Sequence, residues 1–271
     1  MFTYNLNPVL LKIGFLEIRY YSLVYILGFI AAIFVLKYYA KRKEINLSED
    51  DIYDFVFYLI LGVIIGGRLG EVLLWEPYYY FTNPLEIVMI WKGGMAFHGG
   101  LIGSILGTLY FVKKKNKLIL KTDDEKTEQK EKNKISFFKI ADIVTLPFIF
   151  TWALGRVANF INGELWGYPT NISWCVVYEN VCRHPYQIYS AIGLFILGLF
   201  LVWLYRKENV RQKEGLLFFT FITLGGLVRF MIDFFRADEL FYGFSIGQWM
   251  SLMMVVVGVI VIVKYYLRKR K

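Results

Sequence analysis

Seven long, nearly uncharged apolar runs constrain this chain more than any other feature. They cover approximately residues 19–38, 53–75, 95–112, 140–160, 186–205, 215–235 and 245–265. About 20 residues of helix cross the roughly 30 Å hydrocarbon core of a bilayer. The runs are continuous rather than alternating, which suits helices and not the strands of a membrane barrel. The chain is 57% hydrophobic, above the roughly 45–50% of soluble domains. The sequence therefore predicts an all-α polytopic membrane protein. It has seven transmembrane helices and a small extracytoplasmic loop region, and residues 1–271 form a single integral-membrane domain. The first run, Tyr21 to Val35, follows no basic segment and ends in a basic stop, so it reads as a retained span rather than a leader.

The formal net charge of +9 does not point to nucleic acid, because the basic residues sit beside apolar runs. Lys37/Lys41/Arg42/Lys43, Lys113 to Lys139, Arg206/Lys207/Arg211/Lys213 and Lys264/Arg268 to Lys271 follow the first, third, fifth and seventh runs. With seven crossings all four clusters share one side. The positive-inside rule makes that side the cytoplasm, with the N-terminus outside and the C-terminus cytoplasmic. Residues 113–139, low in complexity and mixed in charge, read as a flexible cytoplasmic loop near membrane lipids. The opposite side carries WEPYYYFTNP (75–84), the loop 162–185 and RADELFYGFS (236–245), rich in the aromatics of an interfacial belt. No internal repeat suggests a transporter of inverted halves.

Cys175 and Cys182 lie in the strand-like WCVVYENVC, where a hairpin would face them as a disulfide or leave two free thiols. There is no CxxC and the two histidines are far apart, so no metal site and no cofactor are expected.

Ionisable groups inside a membrane are costly and usually mark a site. In LGRVANFINGELWG (154–167), Arg156, Asn159 or Phe160, and Gly163 or Glu164 share one helical face if the helix runs that far. The structural alternative is that Arg156 and Glu164 pair to hold the helix end. In GGLVRFMIDFFRAD (225–238), Arg229, Asp233 and Arg236 fall at i, i+4 and i+7 and form one helical stripe with excess positive charge. Guanidinium groups suit phosphate oxygens, although an ion ladder without a ligand is the simpler reading. Arg68, in GGRLGE (66–71), reads as structural from its position. His98 precedes Gly99, Gly103 and Gly107, whose four-residue spacing allows close helix packing in lipid. Tyr21 opens the first span near the interface, a position most tyrosines hold as anchors.

Taken together these segments resemble the prolipoprotein diacylglyceryl transferase family of the bacterial cytoplasmic membrane. HGGLIG (98–103) and GRVANFINGELWG (155–167) match family motifs, as do GGR (66–68), RHPYQIY (183–189), the tyrosine of RYYSLVY and the arginine pattern at 229–236. Asp233 stands where the family pattern has glutamate, one methylene longer, and Ser190 where many members have glutamate.

The resemblance implies transfer of the diacylglyceryl group of phosphatidylglycerol to the lipobox cysteine of a prolipoprotein signal peptide, at the outer leaflet of the inner membrane. On that reading His98, Arg156 and Arg229 are catalytic. Tyr21, Arg68, Asn159, Asn162, Glu164, Gly167, Asp233 and Arg236 bind substrate, with Asp233 and Arg236 fixing Arg229. A thiol with a pKa of about 8.5 needs a base, and a leaving phosphate needs positive charge.

Overall fold

The computed structural model describes residues 2–14, 16–121 and 133–267. Among these, seven long helices follow in order: α1 (Tyr20–Lys41), α2 (Glu49–Gly70), α3 (Phe97–Lys121), α4 (Phe137–Asn162), α5 (Tyr186–Tyr205), α6 (Leu216–Ile232) and α7 (Ile246–Val261). Each covers one of the expected spans. Six helical stretches among the described residues are long and apolar enough to cross a membrane: Tyr20–Lys41, Glu49–Trp75, Phe137–Asn162, Tyr186–Tyr205, Leu216–Phe235 and Ile246–Lys264. The helix outside that set is α3, whose apolar half is diluted by Gly99, Gly100, Gly103 and Gly107.

The chain divides into two compact units, residues 36–140 and residues 1–35 with 141–271. In the first unit, α2 begins on a capping box. Ser48 Oγ accepts from the Asp51 N–H at 3.2 Å, and the Ser48 N–H donates to the Asp51 carboxylate at 2.9 Å. Glu49, Asp50 and Asp51 complement the positive end of the helix dipole. Further along, α2 meets α3 backbone to backbone. A Cβ on Gly62 would strike the Gly103 carbonyl, one on Gly66 the Gly99 carbonyl, and one on Gly99 the Gly66 carbonyl. The four-residue glycine spacing on α3 is answered by Gly62, Gly66 and Gly70 on α2.

The expected loop 113–139 begins later than its charge suggested. Helix α3 continues through Lys121, because lysine and leucine are good helix formers and α2 supplies counter-charges. Lys115 pairs with Asp51 at 2.6 Å, and Lys114 with Asp54 at 3.5 Å. Phe137 to Lys139 already belong to α4. Residues 122–132 of that loop and the terminal Arg268 to Lys271 lie outside the described residues.

In the other unit, α6 packs on α7 through small residues, with Gly226 facing the Ser251 carbonyl and Gly258 facing Thr223. Asp142, fully buried on α4, accepts from the N–H groups of Gly215 and Phe218 at 2.7 Å each. It thereby caps the start of α6 from a neighbouring helix. Short strands, unexpected in an all-α reading apart from WCVVYENVC, decorate this unit. Val176–Tyr178 and Val181–Arg183 form a hairpin, Phe2–Thr3 adds to it in parallel, and Val9–Ile13 pairs with Leu16–Arg19. Glu179 and Asn180 take positive φ at the hairpin turn, and a disulfide joins Cys175 to Cys182, their Cα atoms 5.6 Å apart. The disulfide alternative is the one the structure adopts.

Candidate active site

The unit containing α4 to α7 gathers most of the polar residues singled out above. Helix α4 stops at Asn162, and Gly163 and Leu165 then take φ of 70° and 60°. Glu164 therefore does not continue the face of Arg156; the chain folds back on itself. Arg156 Nη1 donates to Asn159 Oδ1 at 3.4 Å, Asn159 Nδ2 to Glu164 at 2.9 Å, and Asn162 Nδ2 to the other Glu164 oxygen at 3.1 Å. The arginine and the glutamate are linked through Asn159, so the simple end-pairing alternative is not what forms. Tyr4 braces the turn by donating to the Ile161 carbonyl at 2.7 Å, and its hydroxyl lies where a Cβ on Gly163 would project.

The expected stripe of Arg229, Asp233 and Arg236 also breaks. Helix α6 ends at Ile232, a single tight turn covers Asp233–Phe235, and Arg236 is extended. Arg229 Nε still faces Asp233 Oδ2 at 3.5 Å. Arg236 instead pairs with Asp238 at 2.9 Å, so it is Asp233 alone that contacts Arg229 among the two residues expected to fix it. Burial pushes the Asp238 carboxyl above the usual carboxylate range, against the opposing pull of Arg236. The extended backbone at Arg236 has a partner in Gly167, through an isolated antiparallel bridge. A Cβ on Gly167 would sit 2.6 Å from the His184 and Phe235 carbonyl oxygens, so only glycine lets these three segments meet.

Arg156 lies within electrostatic range of Arg229, Arg236, Asp233 and Tyr186. Asp233 and Asp238 each take one guanidinium, and Arg156 reaches a carboxylate only through Asn159. The buried Nε groups of Arg156 and Arg183 have no hydrogen-bond acceptor among the described residues, while those of Arg229 and Arg236 face their carboxylates as ion pairs without hydrogen-bond geometry. Asn162 Oδ1 and Gln187 Oε1 likewise have no donor among the described residues. Native proteins rarely leave such groups unmatched outside functional sites.

From sequence alone no role attaches to Tyr186, Gln187, Arg183 or His184, although RHPYQIY contains all four. Tyr186 and Gln187 are fully buried at the head of α5. Gln187 donates to the Glu164 carbonyl, and the Tyr186 hydroxyl donates to Asp233 Oδ1 at 2.5 Å. Two polar residues opening an otherwise apolar helix were the available signal. Tyr21 opens α1 in this same unit and stacks edge-on against Tyr25 with ring centroids 5.4 Å apart.

Arg68 and His98 belong to the other unit. Arg68 is buried, and its five N–H groups are all committed to backbone carbonyls. Nε bonds Ile87 at 2.8 Å, Nη1 bonds Gly93 at 2.5 Å and Gly94 at 2.8 Å, and Nη2 bonds Glu86 and Met89. Its guanidinium also lies 4.7 Å from the centre of the Tyr80 ring. A lysine has three donors on a single nitrogen and cannot reach five carbonyls. Arg68→Lys is therefore expected to lower stability by about 3 kcal/mol, from two or more stranded carbonyls. Thermal unfolding of the purified protein measures this; a raised KM at an unchanged midpoint would instead mean substrate contact. His98 is exposed in the first turn of α3, which the Ala96 N–H anchors to the Gly67 carbonyl at 2.9 Å.

The chain is similar over nearly its whole length to proteins of one family. A family model described as prolipoprotein diacylglyceryl transferase covers residues 8–264. A phosphatidylglycerol–prolipoprotein diacylglyceryl transferase of Geobacter sulfurreducens is 39% identical, over 98% of this chain and 97% of that protein. Proteins of the same name from Bordetella avium (38% identical, 95% of this chain and 94% of that protein) and Dechloromonas aromatica (36%, 97% of each) are also similar. A family match over nearly the whole length, on a helical chain built to cross a membrane several times, means that the chain belongs to the prolipoprotein diacylglyceryl transferase family.

Proposed function

We propose that this transferase moves the diacylglyceryl group of phosphatidylglycerol onto the lipobox cysteine thiol of prolipoprotein signal peptides. A thioether forms and glycerol 1-phosphate leaves, the first step of lipoprotein maturation. The reaction is a displacement at carbon. The thiolate sulfur bonds to the glyceryl methylene as its C–O bond breaks, and the electron pair departs on the phosphate oxygen.

The observation that carries this reading is the set of buried, unmatched polar groups in the unit that holds α4 to α7. The Nε–H donors of Arg156 and Arg183 suit the phosphate oxygens, while Asn162 Oδ1 and Gln187 Oε1 suit the hydroxyls of the terminal glycerol. Arg156 and Arg229 hold the phosphate and stabilise the charge that develops on it. Asn159, Asn162 and Glu164 orient the headgroup, together with Tyr21. Asp233 holds Arg229, and Gly167 gives Arg236 its place. Arg68 shapes the segment before α3 and touches no substrate. His98 takes the thiol proton, since imidazole titrates near neutrality.

In the membrane the chain crosses seven times, α3 included, with the basic clusters cytoplasmic and the headgroup site towards the outer leaflet of the bacterial cytoplasmic membrane. The four clusters on one side of a seven-span arrangement support that orientation. Membrane lipids and secreted precursors are the partners, not nucleic acid.

The test is an assay with labelled phosphatidylglycerol and a lipobox peptide, following thioether and glycerol 1-phosphate together. Equimolar formation of both is expected. His98→Gln should lower turnover at neutral pH by about a hundredfold or more, the range for loss of a general base. Full turnover by that variant removes the base role from His98.

A further inference from the structure

We infer that Tyr186 is a positioning residue for phosphate recognition, acting through Asp233 on Arg229; this rests on the phosphate-binding reading above. Tyr186 and Asp233 are both buried, 1% and 3% exposed. The phenol donates to Asp233 Oδ1 at 2.5 Å, a short charge-assisted bond that fixes the carboxylate plane. The second oxygen, Oδ2, is thereby turned towards Arg229 Nε at 3.5 Å. A third element closes the arrangement. A Cβ on Gly247, in the first turn of α7, would lie 3.0 Å from Asp233 Oδ2 and 3.2 Å from Arg229 Nη2, so the pair fits against bare backbone there.

The carboxylate is thus held from two sides, and Arg229 takes its direction from it. An acid one methylene shorter than glutamate reaches this position with a full-length phenol opposite. The Arg236 guanidinium, 5.7 Å from the Tyr186 ring centre, lies beside the same ring. One side chain at the head of α5 therefore organises groups from the end of α6 and the segment after it. Tyr186 itself touches no reacting atom in this scheme.

The experiment measures binding of radiolabelled phosphatidylglycerol to the full-length protein in detergent micelles, a readout that survives loss of turnover. Tyr186→Phe removes only the hydroxyl. It is expected to weaken lipid binding and raise the apparent KM for the lipid about tenfold or more, as loss of one hydrogen bond to a charged group does. The KM for the peptide should stay constant. In an Asp233→Ala background, Tyr186→Phe should add nothing, because its only route is through that carboxylate. Wild-type lipid binding by Tyr186→Phe overturns the inference. Equal, additive effects in both backgrounds overturn it too, since they indicate a merely structural tyrosine. If Arg229→Ala binds the lipid and turns over normally, the phosphate reading itself has failed, an outcome separate from either result for Tyr186.

Discussion

Arg229→Lys is expected to lower the transfer rate by at least about a hundredfold while leaving the protein folded. The expectation follows from the shape of the group. Arginine offers a planar fork that meets two phosphate oxygens at once, and lysine offers a compact point charge. Losing one charge-assisted bond to a developing phosphate anion, with misorientation of the rest, removes about 3 kcal/mol or more. Because Arg229 is only half-buried and its counter-ion Asp233 keeps the Tyr186 hydroxyl, stability should change little. Single-turnover rates with saturating lipid and peptide, beside thermal unfolding, measure the two effects separately. Near-normal chemistry in Arg229→Lys would leave charge alone, not bidentate contact, as the requirement.

The second large effect concerns folding rather than chemistry. Gly103→Val should prevent the 36–140 unit from forming, because any Cβ at this position runs into the Gly62 carbonyl. The obstacle is backbone on backbone, so no rotamer relieves it, and the helices must separate along the whole glycine seam. Separation forfeits the close packing that holds helices together in lipid. A loss above about 4 kcal/mol, the exceptional class for single substitutions, is expected. Gly155→Ala is the matched control, since nothing lies within 4 Å of a Cβ there. It should be neutral or stabilise by up to about 1 kcal/mol through helix propensity. The yield of monodisperse protein after detergent extraction distinguishes the two, and equal yields would refute the packing argument.

The glycine seam was legible because small residues at four-residue spacing have one obvious use between helices in lipid. The long helices were legible for a similar reason, since six of them have the apolar length that a fixed bilayer thickness demands. Helix ends near the site were not. Glu164 and Arg236 were placed on helical faces by counting, and both lie beyond the last helical turn, where spacing no longer predicts direction. The reversal at Gly163 and the extended backbone at Arg236 depend on Tyr4 and Gly167, which are distant in the chain. Arg68 shows the converse. Its motif resembled a binding element, yet five carbonyls from residues 86–94 use up its donors.

By itself the sequence determined a helical membrane protein, the number and order of its long helices, the seam between α2 and α3, and the family to which the chain belongs. Each of these follows from local composition or from short-range spacing. The tertiary structure alone decided which polar groups meet. It put Tyr186 against Asp233, threaded Asn159 between Arg156 and Glu164, and drew Arg236 to Asp238 rather than to Asp233. Those partnerships join residues from different helices and from the turns that end them. Where each side chain finds its hydrogen bond there is settled by packing over the whole unit, which no local pattern records.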